Sequence, residues 1–331
     1  MKIFSKLKKT LILFLRRFVS LGHGNIESLI LLQVQIISEN HRRLTTLKGL
    51  YEAEFCAFSQ WGEDGIIDWL INSIPDIPRT FIEFGVENYR ESNTRLLLMM
   101  RNWRGLILDG SENNVSDIKR QGVYWRHDIT ARCAFIDREN INDLITSSGL
   151  LGQIGVLSID IDGNDYWVWE RINVVSPAIV VVEYNAVLGD MNQCSTPYQA
   201  DFVRTTAHYS NLYFGASLPA LISLGEKKGY QFVGTNSSGC NAFFVREDLA
   251  FNVIARLDNI YAFPSRFREA RGRNGHLTFP DNNHRSLMID DLDLTDTSSG
   301  DIVKLKEYKV IYSLEWSKGD PRRVAIARDK L

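Results

Sequence analysis

From residue 58 to about 246, short apolar runs alternate with segments whose apolar residues recur at helical spacing. No other feature constrains the fold of this chain as strongly. Apolar runs at 80–85, 105–109, 123–126, 154–160 and 178–183 read as strands. Between and after them, 63–71, 91–102, 114–120, 138–147, 167–172 and 218–228 read as helices. Strands that are apolar throughout need cover on both faces, which a parallel sheet flanked by crossover helices provides. The last two runs, 230–235 and 241–246, are joined around SSG at 237–239 and predict an antiparallel hairpin. The expected fold is therefore α/β: a doubly wound, mostly parallel seven-stranded sheet ending in an antiparallel hairpin. That hairpin separates this pattern from an ordinary dinucleotide-binding fold.

With 331 residues, 44% hydrophobic and 24% charged, the chain can bury one large core with appendages. We expect a helical arm over 1–57, a catalytic domain over 58–250 and a C-terminal substrate or lid region over 251–331. A formal net charge of -2 provides no field to recruit nucleic acid, so a nucleic-acid partner is not expected. Cys56, Cys133, Cys194 and Cys240 lie far apart, so neither a zinc site nor a disulfide scaffold is suggested. Reduced cysteines fit a cytoplasmic protein.

Residues 1–19 place Lys2, Lys6, Lys8, Lys9, Arg16 and Arg17 among apolar residues. The uninterrupted run from Leu11 to Leu15 is too short to span a bilayer. Two readings stand: a basic helix on the inner, anionic face of a membrane, or a helix packed on a partner or on the chain itself. Helical spacing continues over 24–50, where a homo-oligomer contact is a candidate. In the C-terminal region a short strand is expected at 308–314. Arg266, Arg268, Arg271 and Arg273, with His276 and His284, are candidates to hold an acidic sugar or phosphate, or form a solvated surface.

In an open α/β sheet, ligands bind beyond the carboxyl ends of the strands, and acidic residues recur there. The first strand ends in Glu83 and Gly85, the glycine allowing a tight turn near a ligand. The second ends in Asp109, where a carboxylate can accept both ribose hydroxyls of a nucleoside. Asp128, placed after the third strand, is a candidate for the adenine amino group. Each carboxylate could instead cap a helix. The fourth strand ends in IDIDGNDY (159–166) and the fifth in VEYN (182–185). Asp160, Glu183 and Asn185 are hard oxygen donors suited to Mg²⁺, which would orient a diol; the same acids could bind an ammonium group. His208 is a candidate general base or a packing residue. Trp61, Tyr89 and Tyr166 are candidate lining aromatics.

Together, SQWGEDG (59–65), FIEFGVEN (81–88), LDGS (108–111), IDIDGNDY and VEYN resemble the FkbM-type methyltransferases over roughly residues 58–246. The resemblance implies a class I S-adenosylmethionine-dependent methyltransferase acting on sugar hydroxyls, as in bacterial surface-glycan or natural-product tailoring. It implies that Glu83 and Gly85 lie beside the methionine part of the cofactor and that Asp109 holds its ribose. Glu87, Gly110 and Ser111, within the same motifs, join them as candidate cofactor residues. The acidic segment is also similar to that of macrolide-sugar O-methyltransferases, which implies Asp160 as a metal ligand and Asp162 as a base. The turn after the first strand departs from the pattern: Tyr89 stands where a second glycine is common, so it would crowd or cover the cofactor.

Three functions compete. The first is O-methylation of a sugar hydroxyl on a surface glycan or lipid-linked precursor. The second is a metal-dependent glycosyltransferase using Asp160 and Asp162. The third is a non-catalytic, glycan-associated scaffold whose pocket Tyr89 blocks.

Overall fold

A computed structural model describes residues 26–266 and 270–325. The chain divides into two compact units, 1–44 and 45–331. In the first unit the described residues form helix α1 over 26–43. The expectation for residues 1–19 lies outside the described residues, as does Arg268 of the basic run. Among the described residues no helix is long and apolar enough to cross a membrane. All four cysteines are unpaired.

The second unit opens with α2 (Glu63–Ser73), β1 (Thr80–Phe84), α3 (Arg95–Arg101), β2 (Arg104–Asp109), α4 (Glu112–Arg120), α5 (Gly122–Arg126) and β3 (Ile129–Cys133). It continues through α6 (Ile141–Thr146), β4 (Gly152–Ile159), α7 (Asp165–Arg171), β5 (Val175–Glu183), β6 (Cys194–Ser195) and α8 (Arg204–Ala207). Then come α9 (Leu218–Lys227), β7 (Tyr230–Thr235), β8 (Asn241–Arg246), α10 (Glu247–Ile254) and β9 (Ile260–Ala262). The chain closes with α11 (Asn282–Leu287), β10 (Asp293–Asp296), β11 (Ile302–Lys304), α12 (Leu314–Ser317) and β12 (Arg322–Val324).

The main sheet runs β3-β2-β1-β4-β5-β8-β7, as expected seven-stranded and mostly parallel. Its antiparallel part is the hairpin: β7 pairs β8, and β8 pairs β5. Successive side chains of the central strands enter opposite cores. Ile82, Phe84, Leu106, Leu157 and Val180 pack on one face; Phe81, Ile107, Val156, Ile179 and Val181 pack on the other. A strand whose neighbouring residues must both be buried cannot alternate with polar residues, which is why these runs are apolar throughout.

Two expected strands are corrected. Residues 123–126 lie in α5, where Val123 is buried in the core, Tyr124 is half-buried against it, and Trp125 and Arg126 are exposed. The third strand is instead Ile129–Cys133, whose inward Ile129 and Ala131 alternate with half-exposed Thr130 and Arg132. In place of a strand at 308–314 there is irregular chain leading into α12. The C-terminal strands are short: β10 pairs β11 and β6, and β12 pairs β9. A small third core of Leu188, Cys194, Leu212, Ile289, Leu294 and Leu305 supports the three-stranded sheet.

Candidate active site

A cavity of about 460 Å³ opens beyond the carboxyl ends of β1, β2, β4 and β5. The strand order reverses between β1 and β4, so this is the topological switch point where an open α/β sheet leaves a crevice. The wall between the two strands is set by Gly85. Its φ is +72°, and a Cβ there would lie 1.6 Å from the carbonyl oxygen of Asp160. Only glycine permits that approach.

The loop after β1 is held by its own carboxylate. Glu83 accepts hydrogen bonds from Ser92 Oγ (2.6 Å), Asn93 N (2.8 Å) and Thr94 N (3.1 Å), and also from Thr94 Oγ1. Burial pushes its pKa up, and these donors pull it back. Glu87 and Tyr89 both adopt left-handed backbone, at φ 46° and 60°. The fully buried Tyr89 ring keeps the loop in that shape, its hydroxyl 3.1 Å from Thr94 Oγ1 and its carbonyl accepting from Arg95 Nη1 at 2.6 Å. The expectation that Tyr89 crowds the cofactor is thereby corrected. Its ring belongs to the core under the sheet and does not line the cavity. Tyr166 is likewise buried in the core, whereas Trp61 does line the cavity.

The SQWGED segment is a second clamped loop. Asp64 Oδ2 accepts from the amides of Ala57 (2.8 Å), Phe58 (2.6 Å) and Ser59 (2.6 Å). Burial nonetheless lifts its pKa to about 6. Glu63 accepts from Trp61 N (2.9 Å), Asn236 Nδ2 (2.6 Å) and Asn241 Nδ2 (2.9 Å). These two acids at the start of α2 tie the loop bearing Gln60 and Trp61 to the β7–β8 hairpin.

At the end of β2, Asp109 Oδ1 accepts from Ser111 N (2.8 Å) and Asn114 Nδ2 (3.0 Å). Oδ2 makes no hydrogen bond to the described residues. Gly110 lines the cavity beside it, opposite Ala134, Phe135 and Ile136 from the end of β3. Ser111 caps α4, its Oγ accepting from Asn114 N at 3.4 Å, and stands behind the lining. Asp128 is at the wrong end of the sheet. The shift of the third strand to Ile129–Cys133 leaves Asp128 at its amino end, exposed and paired with Arg104 at 3.7 Å.

The acceptor side is built from the ends of β4 and β5. Asp160, Asp165 and Glu183 each place one carboxylate oxygen within 4.8 Å of the others. Asp165, at the start of α7, is fully engaged by the amides of Ile161 (2.8 Å) and Gly163 (2.9 Å), with its pKa lifted by burial to about 6. Asp160 accepts no hydrogen bond from the described residues. Glu183 Oε2 is buried without a partner, as is Asn164 Oδ1, and both residues line the cavity. Burial and mutual repulsion push the pKa values of Asp160 and Glu183 well above the usual carboxylate range. Asp162, at φ 56°, is held 2.6 Å from Arg204 Nη1, which also approaches Glu183 Oε1 at 3.7 Å. The guanidinium rests 3.6 Å over the Phe214 ring.

Asn185 is excluded from any ligand set. Its Nδ2 donates to Leu212 O (2.8 Å) and Phe214 O (2.9 Å), and its Oδ1 accepts from Val187 N (3.0 Å). His208 does not line the cavity; it sits 2.7 Å from Ser210 Oγ, with its pKa lowered by burial and then by Arg273. None of the described arginines at 266–273 lines the cavity either. The sequence reading missed Asn93, Phe135, Asn164 and Arg204. Arg204 carries no periodic or motif signal, since its partners come from β4 and β5, which only the fold brings to it.

No protein-family model and no curated protein matches the sequence. Among solved structures it is similar to the N-terminal domain of EvdMO1, determined in the presence of SAH and D-fucose. That likeness has 12% identity and a TM-score of 0.36, over 64% of this chain and 95% of that one. An S-adenosylmethionine-dependent methyltransferase from Clostridium acetobutylicum is similar at 10% identity and TM-score 0.35, over 56% and 90% of the two chains. The DszA carbon methyltransferase is similar at 13% identity and TM-score 0.36, over 56% and 53%.

Proposed function

We propose that this chain is an S-adenosylmethionine-dependent O-methyltransferase of the FkbM type, acting on a sugar hydroxyl. The observation that carries this reading is Asp109. A carboxylate at the end of the strand next to the switch point, with one oxygen unengaged, meets a ribose diol as a two-hydroxyl acceptor. Phe135 and Ile136 offer an apolar surface for adenine, and the Glu83–Asn93 loop borders the space left for the amino-acid end.

On this reading the acceptor hydroxyl lies against Glu183. The bound S-adenosylmethionine would supply the methyl group, its sulfur leaving as a thioether, and Glu183 Oε2, when ionised, would take the proton that the hydroxyl loses. Burial beside Asp160 gives Glu183 the raised proton affinity such a base needs. Alignment of the two reactants contributes the larger share of the acceleration. Glu183 thus takes the base role the sequence reading gave to Asp162 and His208: Asp162 is already bound to Arg204, and His208 stands outside the cavity.

The donor set does not fit Mg²⁺. Asn185 is locked in the fold, Asp165 has both oxygens on main-chain amides, and Arg204 sets a positive charge beside Glu183 that a divalent ion would have to face. We derive no step through a metal. The metal-dependent glycosyltransferase reading loses its premise with it.

The test is calorimetric titration of S-adenosylhomocysteine into the wild type and Asp109→Asn. The asparagine keeps one acceptor for Ser111 and Asn114 but turns a donor toward the ribose. We expect binding by the wild type and a loss of about 10- to 100-fold in the variant. No binding by the wild type sinks the proposal.

A further inference from the structure

We infer that the acceptor carries no negative charge where it enters this cavity: it is a neutral or amino-bearing polyol, not a phosphorylated, nucleotide-linked or uronic sugar. The inference rests on the methyltransferase reading only for the word acceptor; the charge selection follows from the cavity itself.

Among the described residues, eight of the side chains lining the cavity are carboxylates and one, Arg204, is a cation. That cation is already committed to Asp162 and Glu183 at 2.6 and 3.7 Å. Charges in a walled cleft add, because low-dielectric protein focuses the field there and water cannot screen it fully. Burial first, and then the neighbouring carboxylates, raise the pKa values of Asp160 and Glu183, so the cleft already resists the kind of charge that an anion would add.

The hydrogen-bonding inventory agrees independently. Among the described residues three buried oxygens of the lining lack a partner, Glu183 Oε2, Asn164 Oδ1 and Asn241 Oδ1; the two amide oxygens accept, and the carboxyl does so when ionised. The Asn164 orientation is fixed by its Nδ2, which donates to Gln199 O at 2.7 Å. A buried acceptor left unmatched is costly, so the ligand that completes this site brings O–H or N–H groups. A phosphate or carboxylate brings none. The arginines at 266–273 do not offset this, since those described lie outside the lining. The enzyme would then act on sugars already freed of, or transferred from, their activating phosphate. The reaction class upstream is glycosyl transfer or phosphate hydrolysis.

The test uses Trp61, which lines the cavity and is 37% exposed. Its fluorescence is isolated by subtracting Trp61→Phe from the wild type, in full-length protein saturated with S-adenosylhomocysteine and at fixed ionic strength. Iodide should quench Trp61 at least about threefold less than neutral acrylamide, and caesium should quench it more than iodide. Equal quenching by iodide and caesium overturns the inference. A second measurement titrates UDP-glucose into the same sample, with and without Mg²⁺. We expect no binding up to millimolar concentration, and binding overturns the inference. Because S-adenosylhomocysteine binding is measured first, failure of the methyltransferase reading is seen separately. The quenching comparison can then be repeated without the nucleoside.

Discussion

The two halves of this site hold similar numbers of acids, and those that line the cavity are used in opposite ways. On the β1 side, Glu63 and Glu83 are surrounded by amide and hydroxyl donors from their own loops and the β7–β8 hairpin, and Asp64 holds three main-chain amides on one oxygen while its other is buried without a partner. On the β4–β5 side, Asp160 has no donor among the described residues and Glu183 keeps one oxygen buried and bare. Burial raises the pKa on both sides, so the shift alone does not mark the chemistry. The distinguishing feature is unmet hydrogen-bonding capacity in a residue that lines the cavity, as Glu183 does and Asp64 does not. A satisfied acid positions a loop, whereas an unsatisfied one waits for a ligand.

The sharpest way to break this contrast is to neutralise one acid on each side. Glu183→Gln should lower turnover by about 10²- to 10⁴-fold, the range a positioned general base supplies, while S-adenosylhomocysteine affinity stays within about threefold. A radiolabelled methyl-transfer assay beside a binding isotherm separates the two. Retained turnover would remove Glu183 from the chemistry.

Glu83→Ala should act on the fold instead. It strands the donors of Ser92, Asn93 and Thr94 inside the protein, which costs about 3 kcal/mol or more. Urea unfolding at pH 7 reports it as a lower midpoint at unchanged slope. A variant as stable as the wild type would show that the loop does not depend on its carboxylate.

The same contrast explains what the sequence could reveal. Strand ends were legible because apolar runs buried on both faces announce themselves, and the first, second, fourth and fifth carried an acid at or near their ends. The β7–β8 hairpin was legible from its SSG turn. The third strand was misplaced because Val123, Tyr124 and Trp125 have strand-like propensity, yet only Val123 is buried, as on a short helix. That one shift carried Asp128 to the wrong end of the sheet. Roles within the acidic segments were not legible at all. Asp165 and Asp160 lie five residues apart, and only their donors distinguish a structural acid from an open one. Asn185 is compatible by type with a metal, but two of its three bonds to main chain exist only once 212–214 has folded over it.

The smallest expected effect is also the most diagnostic, because its sign differs between the halves. Glu183 has its pKa raised well above 4.5 in the folded protein by burial and by its acidic neighbours. A carboxyl whose pKa is raised on folding costs nothing while protonated in both states, below about pH 4. As the pH climbs through the folded value, ionisation is resisted by the fold and stability is lost. Glu183→Gln removes that loss. The variant should therefore be more stable than the wild type at pH 7, and the gain should vanish near pH 4. Glu83→Ala, by contrast, should be destabilised at both pH values, since its stranded donors do not titrate. Thermal or urea unfolding of both variants at the two pH values decides the matter. A Glu183→Gln protein weaker than the wild type at pH 7 would mean that Glu183 is a structural acid like Glu83, and the division of the cavity into a holding half and a reacting half would be wrong.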